Sequence, residues 1–362
     1  MRRLAGVEQR YDERPGQRLD QRAGVLRLDI RRGAAVLGLL DSELDALADR
    51  CQAPSTARPA WLRASVQAVP REATWSVAVR DADHTLRAAL VVHQDVHADH
   101  TVVRLAGCTS GHCSAMLADS PEAAALLGYG FGRAVQESTR PVWTALGPVP
   151  DRTPWLSDFV GTLPGGELVG LDGVPAVRRT DLTAAPDYLG ASLQRTLRKA
   201  ANRAATDGAE LAVAFTRDER EIAALLPALE QLHRDRDHDR GRPSELDDPS
   251  ALAIWRGRIA GLAAAGRLEV ATLRVDGALA AQVVGIVDPG AYRVLEGLLA
   301  TRLSRYSPGR VLETAVLQRV LDDPSFELLD WMTGVASEAL LTTNHLQPVS
   351  VVRAVFAGAG SA

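Results

Sequence analysis

The chain is 362 residues long, 46% hydrophobic and 24% charged, with three cysteines and a net charge of -4. This composition is globular and long enough for about two domains, and it excludes disorder, a disulfide-stapled scaffold and the broad cationic field of many nucleic-acid binders. No apolar run is long enough to span a membrane and no apolar leader follows Met1, so the expectation is a cytoplasmic protein without membrane contact.

In chain order, Val25–Ile30 alternates as a strand, and Asp41 is predicted to cap a helix reaching about Cys51. A short helix follows around Trp61 and Leu62, then strands at Trp75–Arg80, Leu86–His93 and Thr101–Leu105. Ser120-Pro121-Glu122 opens a helix to about Glu137, with Ser as N-cap and Pro in the first turn, and Pro141–Leu146 is a strand. Gly147–Leu182, rich in Pro and Gly, reads as a crossover. Ala185 to about Thr206 is helical, with Leu189, Leu193, Leu197, Ala200 and Ala204 on one face and Arg195, Arg198, Lys199 and Arg203 on another.

The second half then repeats the order. Leu211–Phe215 is a strand, Glu219 to about Asp235 and Pro249 to about Ala265 are helices, and strands follow at Leu268–Val275, Leu279–Val287 and Tyr292–Leu299. Asp276-Gly277 is a type I′ hairpin turn, and Ser307-Pro308-Gly309 opens a helix to about Leu321. Phe326–Trp331 and Gln347–Phe356 are the last strands. Matched strands start about 190 residues apart, which predicts a tandem duplication of one α/β unit with domains at 1–182 and 183–362.

Strand, two helices, three antiparallel strands, a helix after a tight turn and a further strand resemble the GNAT acyltransferase fold. The second half resembles tandem-GNAT proteins of the bacterial cellulose-biosynthesis acetyltransferase type and, more distantly, Fem-type aminoacyl transferases. The matching residues are Ser192–Lys199, His233 with Arg236 and Gly241, Leu273–Gly277 with Ala280-Ala281, Tyr306–Leu312 and Asp330–Gly334. A Tyr-Lys pair that usually follows the last segment is absent; Glu338-Ala339-Leu340-Leu341 stands there, and no lysine follows Lys199. The resemblance implies an α/β (α+β) chain of two tandem GNAT-like domains, each a mixed, mostly antiparallel twisted sheet flanked by helices.

By that resemblance the turn Tyr306, Ser307, Gly309, Arg310 and Val311 holds the pyrophosphate of an acyl-CoA or the phosphate of a phosphopantetheine thioester. A helix N-terminus with a capping hydroxyl, a small residue and a guanidinium suits such an anion. The matching first-half turn, Asp119-Ser120-Pro121-Glu122, puts two carboxylates there, so the first half is expected to be degenerate and the second catalytic. Acyl transfer to an amine needs a base. Asp330 is favoured because it matches the family's acidic position, with Glu296 as the other candidate; His233, Arg236 and Trp331 are expected on the acceptor side.

His93, His97, His100, Cys108, His112 and Cys113 gather zinc-type ligands, but their spacing fits no zinc pattern, so a polar loop and no metal are expected. The leading expectation is an N-acyltransferase that acts on a small-molecule amine by direct attack in a ternary complex, since all three cysteines lie in the first half. The donor is an acyl-CoA or an acyl carrier protein. The alternatives are an aminoacyl-tRNA-dependent transferase, whose tRNA would lie on the Arg195–Arg203 stripe, and a GNAT pair that binds without catalysing. The sequence leaves the oligomeric state open.

Overall fold

The computed structural model describes residues 17–19, 26–108, 116–183, 190–332, 343 and 345–358. Val25, Leu189, His112, Cys113, Thr333-Gly334 and Glu338–Leu341 lie outside these residues.

Two compact units are present. The first holds β1 (Gln17–Leu19), β2 (Leu26–Arg32), α1 (Ala35–Ser42), α2 (Leu44–Arg50), α3 (Pro59–Ala68), β3 (Thr74–Arg80), β4 (Leu86–Val96) and β5 (Thr101–Leu105). It continues with β6 (Leu117–Ala118), α4 (Pro121–Gln136), β7 (Val142–Pro150), α5 (Leu156–Val160) and β8 (Glu167–Gly170). The second unit holds β9 (Val174–Arg178), α6 (Arg179–Thr183), α7 (Ala191–Asp207), β10 (Leu211–Thr216), α8 (Glu219–Asp239), α9 (Pro249–Ala264), β11 (Leu268–Val275) and β12 (Ala278–Asp288). It ends with β13 (Gly290–Leu299), α10 (Pro308–Asp322), β14 (Phe326–Asp330) and β15 (His345–Gln347), after which β16 (Val349–Phe356) returns to the first unit.

Each unit is one mixed sheet. Strand order is β1-β2-β3-β4-β5-β7-β16-β8 in the first, with β6 beside β4, and β10-β11-β12-β13-β14-β9-β15 in the second. The only parallel neighbours among the described strands are β5 with β7 and β13 with β14, joined in each case across a helix. The duplicated order is therefore present in both sheets, flanked by helices as expected.

The units are not consecutive pieces of chain. β16 lies between β7 and β8, and β9 lies between β14 and β15. The segment read as a crossover thus carries β8, β9 and two short helices, each too brief to leave a periodic signal. The first core gathers Trp75 and Phe131, stacked at 5.5 Å, with Phe159 and Phe356 against Phe131. The second packs Leu312, Val316, Leu317 and Val320 of α10 on Ala271, Leu273, Val283 and Val294 of the sheet. No helix of the described residues is long and apolar enough to cross a membrane.

Two capping expectations need correction. Asp41 lies inside α1 rather than before it, because the helix starts at Ala35 and breaks at Glu43. Ser120 does cap α4, accepting from Ala123 N–H at 3.2 Å, but Ser307 makes no side-chain cap bond and sits at φ 50°, ψ 47°. Ser120→Ala should therefore cost about 1 kcal/mol in urea unfolding, whereas Ser307→Ala should cost much less. Equal costs would contradict the two cap geometries.

Candidate functional site

The site begins at an irregularity in the second sheet. β12 and β13 pair regularly until the register shifts, with Val284 opposite Glu296 and Gly285 opposite Val294, so Leu295 is the extra residue of a bulge. A Cβ on Gly285 would lie 2.1 Å from Tyr292 Oη, so only glycine lets that fully buried ring cross the strand. Beyond Arg293, β13 runs to Leu299 without pairing to β14, which ends at Asp330. The two parallel strands thus part just where Glu296 stands.

Glu296 faces inward, its side chain 12% exposed, and three donors converge on it. His233 Nδ1 of α8 lies 2.8 Å from Oε2, Trp255 Nε1 of α9 donates to the same oxygen at 3.3 Å, and Gln282 Nε2 of β12 donates to Oε1 at 2.6 Å. Gln282 reaches it because the pair lies on the cross-strand diagonal of β12 and β13. The carboxylate also fixes the Gln282 amide orientation, leaving its buried Oε1 without a partner among the described residues. A buried acceptor oxygen beside a carboxylate fits a ligand that brings N–H groups.

His233 is sandwiched between carboxylates. Its Nε2 is 3.5 Å from Asp237 Oδ2 and 3.7 Å from Glu245 Oε1, whose side chain is 74% exposed. Burial lowers the imidazole pKa, but Glu296, Asp237 and Glu245 outweigh it and hold His233 above its ordinary value. Asp237 is itself fixed by Arg242, at 2.9 and 2.6 Å, and by the Ser244 hydroxyl at 2.9 Å. Burial pushes the Asp237 pKa up, and the Arg242 and Ser244 bonds bring it below the carboxylate norm.

The turn before α10 is tied down from three sides. Tyr306 donates to Asp207 Oδ2 at 2.8 Å and lies under the Arg305 guanidinium, so its hydroxyl is engaged by α7. Arg236 Nη1 donates to Thr301 Oγ1 at 3.2 Å, linking α8 to the same turn. A Cβ on Gly309 would meet Leu299 Cδ2 at 2.9 Å, so glycine sets how closely α10 approaches the end of β13. With no side-chain cap at Ser307, Gly309 and Arg310 open the helix ahead of its first closing bond, Val311 N–H to Ser307 O. Arg310 stands beside it, 3.1 Å from Glu313. These residues fit a diphosphate: the helix end offers backbone N–H groups, and the Arg310 guanidinium, bonded to Glu313, stands in the same first turn.

Asp330 ends β14 opposite Arg293, the last paired residue before the strands part, and Trp331 follows it. Asp330 is buried; one oxygen is paired with Arg293 and the other accepts Met332 N–H at 2.8 Å. Trp331 is buried, with its backbone N–H on Pro175 O and its indole N–H lacking a partner among the described residues. The residues brought together are Glu296 and His233, with Arg236 bridging toward the turn before α10.

Sequence reading missed Gln282, Trp255, Asp237 and Glu245. Gln282 had a signal, since an amide inside the apolar run Ala280–Val284 needs a buried partner. The zinc-type residues disperse: His93 bonds Thr74, His97 and His100 stack toward Trp143, and Cys108 Sγ contacts Gly147 O. No group of three or more ligating residues that could hold a metal occurs among the described residues.

Residues 191–338 match a family model described as an acetyltransferase (GNAT) domain. Among solved structures, FemX is similar at a TM-score of 0.57 and 8% identity, over 84% of this chain and 95% of that one. The C-terminal domain of a protein described as a lysylphosphatidylglycerol synthetase, from Agrobacterium fabrum, is similar at 0.53 and 12%, over 86% and 91%. A protein of unknown function from Bacteroides thetaiotaomicron is similar at 0.53 and 12%, over 86% and 96%. At these identities the likeness is one of fold. No protein of curated function matches the sequence.

Proposed function

We propose, from the match of residues 191–338 to a family model described as an acetyltransferase (GNAT) domain, that the chain is an acyltransferase that moves an acyl group from a thioester to a small-molecule amine. The observation that carries this reading is Glu296, a nearly buried carboxylate at the parting of β13 and β14, beside an unpartnered Gln282 oxygen. The second unit is the active one. In the first, β5 carries no carboxylate, and Asp119 at the equivalent turn is occupied by Arg87 at 2.9 Å.

In this reading the donor, a coenzyme A or phosphopantetheine thioester, supplies the activated carbonyl. Its phosphates lie against the first turn of α10 and Arg310. The acceptor reaches the enzyme as an ammonium; Glu296 takes one proton, and Gln282 Oε1 receives a remaining N–H. The neutral nitrogen then attacks the carbonyl, the C–N bond forms and the C–S bond breaks, and the second proton that the nitrogen sheds on becoming an amide goes to the departing thiolate. The substrate pair therefore releases one net proton per turnover, from Glu296. His233 offers it a path, since the ring touches buried Glu296 with one nitrogen and faces exposed Glu245 with the other. Asp237, which Arg242 and Ser244 hold in place, orients that ring.

The donor half is tested by thermal unfolding with coenzyme A. At about 100 times its Kd the ligand should stabilise by about 2.7 kcal/mol. Arg310→Ala should weaken binding by about 1–3 kcal/mol and shrink the shift. An unchanged shift would remove Arg310 from the donor site.

A further inference from the structure

α7 and the turn Thr301–Tyr306 form one cationic surface beside the donor turn. Leu193, Ala200 and Ala204 bury one side of α7, while Arg195, Arg198, Lys199 and Arg203 stand exposed at i, i+3, i+4 and i+8 on the other. Arg203 Nη1 donates to Arg305 O at 2.6 Å, which fixes α7 against the turn carrying exposed Arg302. Arg305 spends its charge on Asp207, at 2.6 Å. By contrast, Arg195, Arg198, Lys199, Arg203 and Arg302 make no ion pair with any described residue. Five cations with no ion pair among the described residues thus stand together on a chain of net charge -4, whereas arginines such as Arg234, Arg256 and Arg293 in the same unit each have a carboxylate partner.

We infer that this surface docks a small acidic protein that carries its acyl group on a phosphopantetheine arm. The inference rests on the acyl-transfer reading and names the donor within it. Three observations lead there. The surface adjoins the helix end that suits the donor phosphate, so a partner seated on α7 delivers its arm to the parting of β13 and β14. Its long dimension, roughly 12 Å from Arg195 to Arg203, is the footprint of one helix rather than of a long polyanion. It also lacks stacking platforms: the one aromatic ring on α7 or the turn is Tyr306, which is buried and bonded to Asp207. A nucleic acid would bind through phosphates along a wider field with aromatic or base contacts.

The test compares three probes on the full chain: coenzyme A, an acyl carrier protein in its holo form, and a mixed aminoacyl-tRNA. The variant is Arg198→Glu with Lys199→Glu, both exposed, with the parent unfolding temperature as the folding control. Holo carrier should bind the parent protein, weaken steeply as salt rises, and bind the variant at least tenfold more weakly. Coenzyme A affinity should not change. A parallel loss of coenzyme A affinity would overturn the inference, since the cations would then serve that ligand's own phosphates. Absent carrier binding would overturn it, as would tRNA binding that the variant abolishes. Failure of both coenzyme A and the holo carrier to bind the parent would instead count against the acyl-transfer reading, whereas coenzyme A binding without carrier binding counts against this inference alone, so the two failures are distinguishable.

Discussion

Glu296→Gln should lower turnover by roughly 10²–10⁴-fold, measured as thiol released from acetyl-coenzyme A with an amine that the parent protein accepts. The substitution preserves shape and removes basicity. With its single carbonyl oxygen in the place of Oε2, Gln can still accept from Trp255, and its amide N–H can be met by a flipped Gln282 amide, so the pocket need not collapse, but it cannot take the ammonium proton. Coenzyme A binding should be unchanged, because the donor turn and Arg310 lie on another element. The variant also has a signature that does not depend on catalysis. His233 is held above its ordinary value, so in the parent it contributes stability that is fully present below pH about 6.5 and is lost as pH rises through the higher folded value. Removing the Glu296 charge should flatten that part of the stability profile. A full-rate Glu296→Gln enzyme would rule Glu296 out as the base.

What the sequence disclosed was what local physics decides. Asp276-Gly277 forced a hairpin, and both residues have positive φ. The Ser120 cap was legible because hydroxyl, proline and acidic residue stand in the order a helix start requires. The Ser-Pro start at Ser307, which has no acidic residue in its first turn, misled. There the turn is pulled by Tyr306 on Asp207 and by Arg236 on Thr301, contacts from residues about 100 and 65 positions away. The neighbours of β14 were equally hidden. β9 is five residues inside a Pro- and Gly-rich stretch, and β16 leaves its own half to pair with β7; neither partnership has a local period. The carboxylate at the bulge could be nominated from its strand, yet the three donors around it come from α8, α9 and β12 and leave no local signal. His233 looked like part of a solvated charge run, although α8 turns that one residue inward onto Glu296.

Asp330→Asn should destabilise the second unit by about 3 kcal/mol while leaving turnover of the folded protein within a few-fold of the parent. The figure is the low end for breaking a buried ion pair, because Arg293 keeps Asp288 at 2.9 Å. Asparagine can still accept Met332 N–H, so the left-handed backbone at Met332 retains its bond and the loss is chiefly one of charge. The physical contrast with Glu296 lies in the partners. The donors around Glu296 are a ring N–H, an indole N–H and an amide, and none is a permanent cation. Asp330 faces a guanidinium, which is always charged, so its carboxylate is engaged as the counter-ion of a buried pair. Urea unfolding and coupled thiol release on the same preparation decide between the two. If turnover fell about 100-fold with stability intact, Asp330 would be the base, and Glu296 with its three donors would be a structural anchor for α8 and α9.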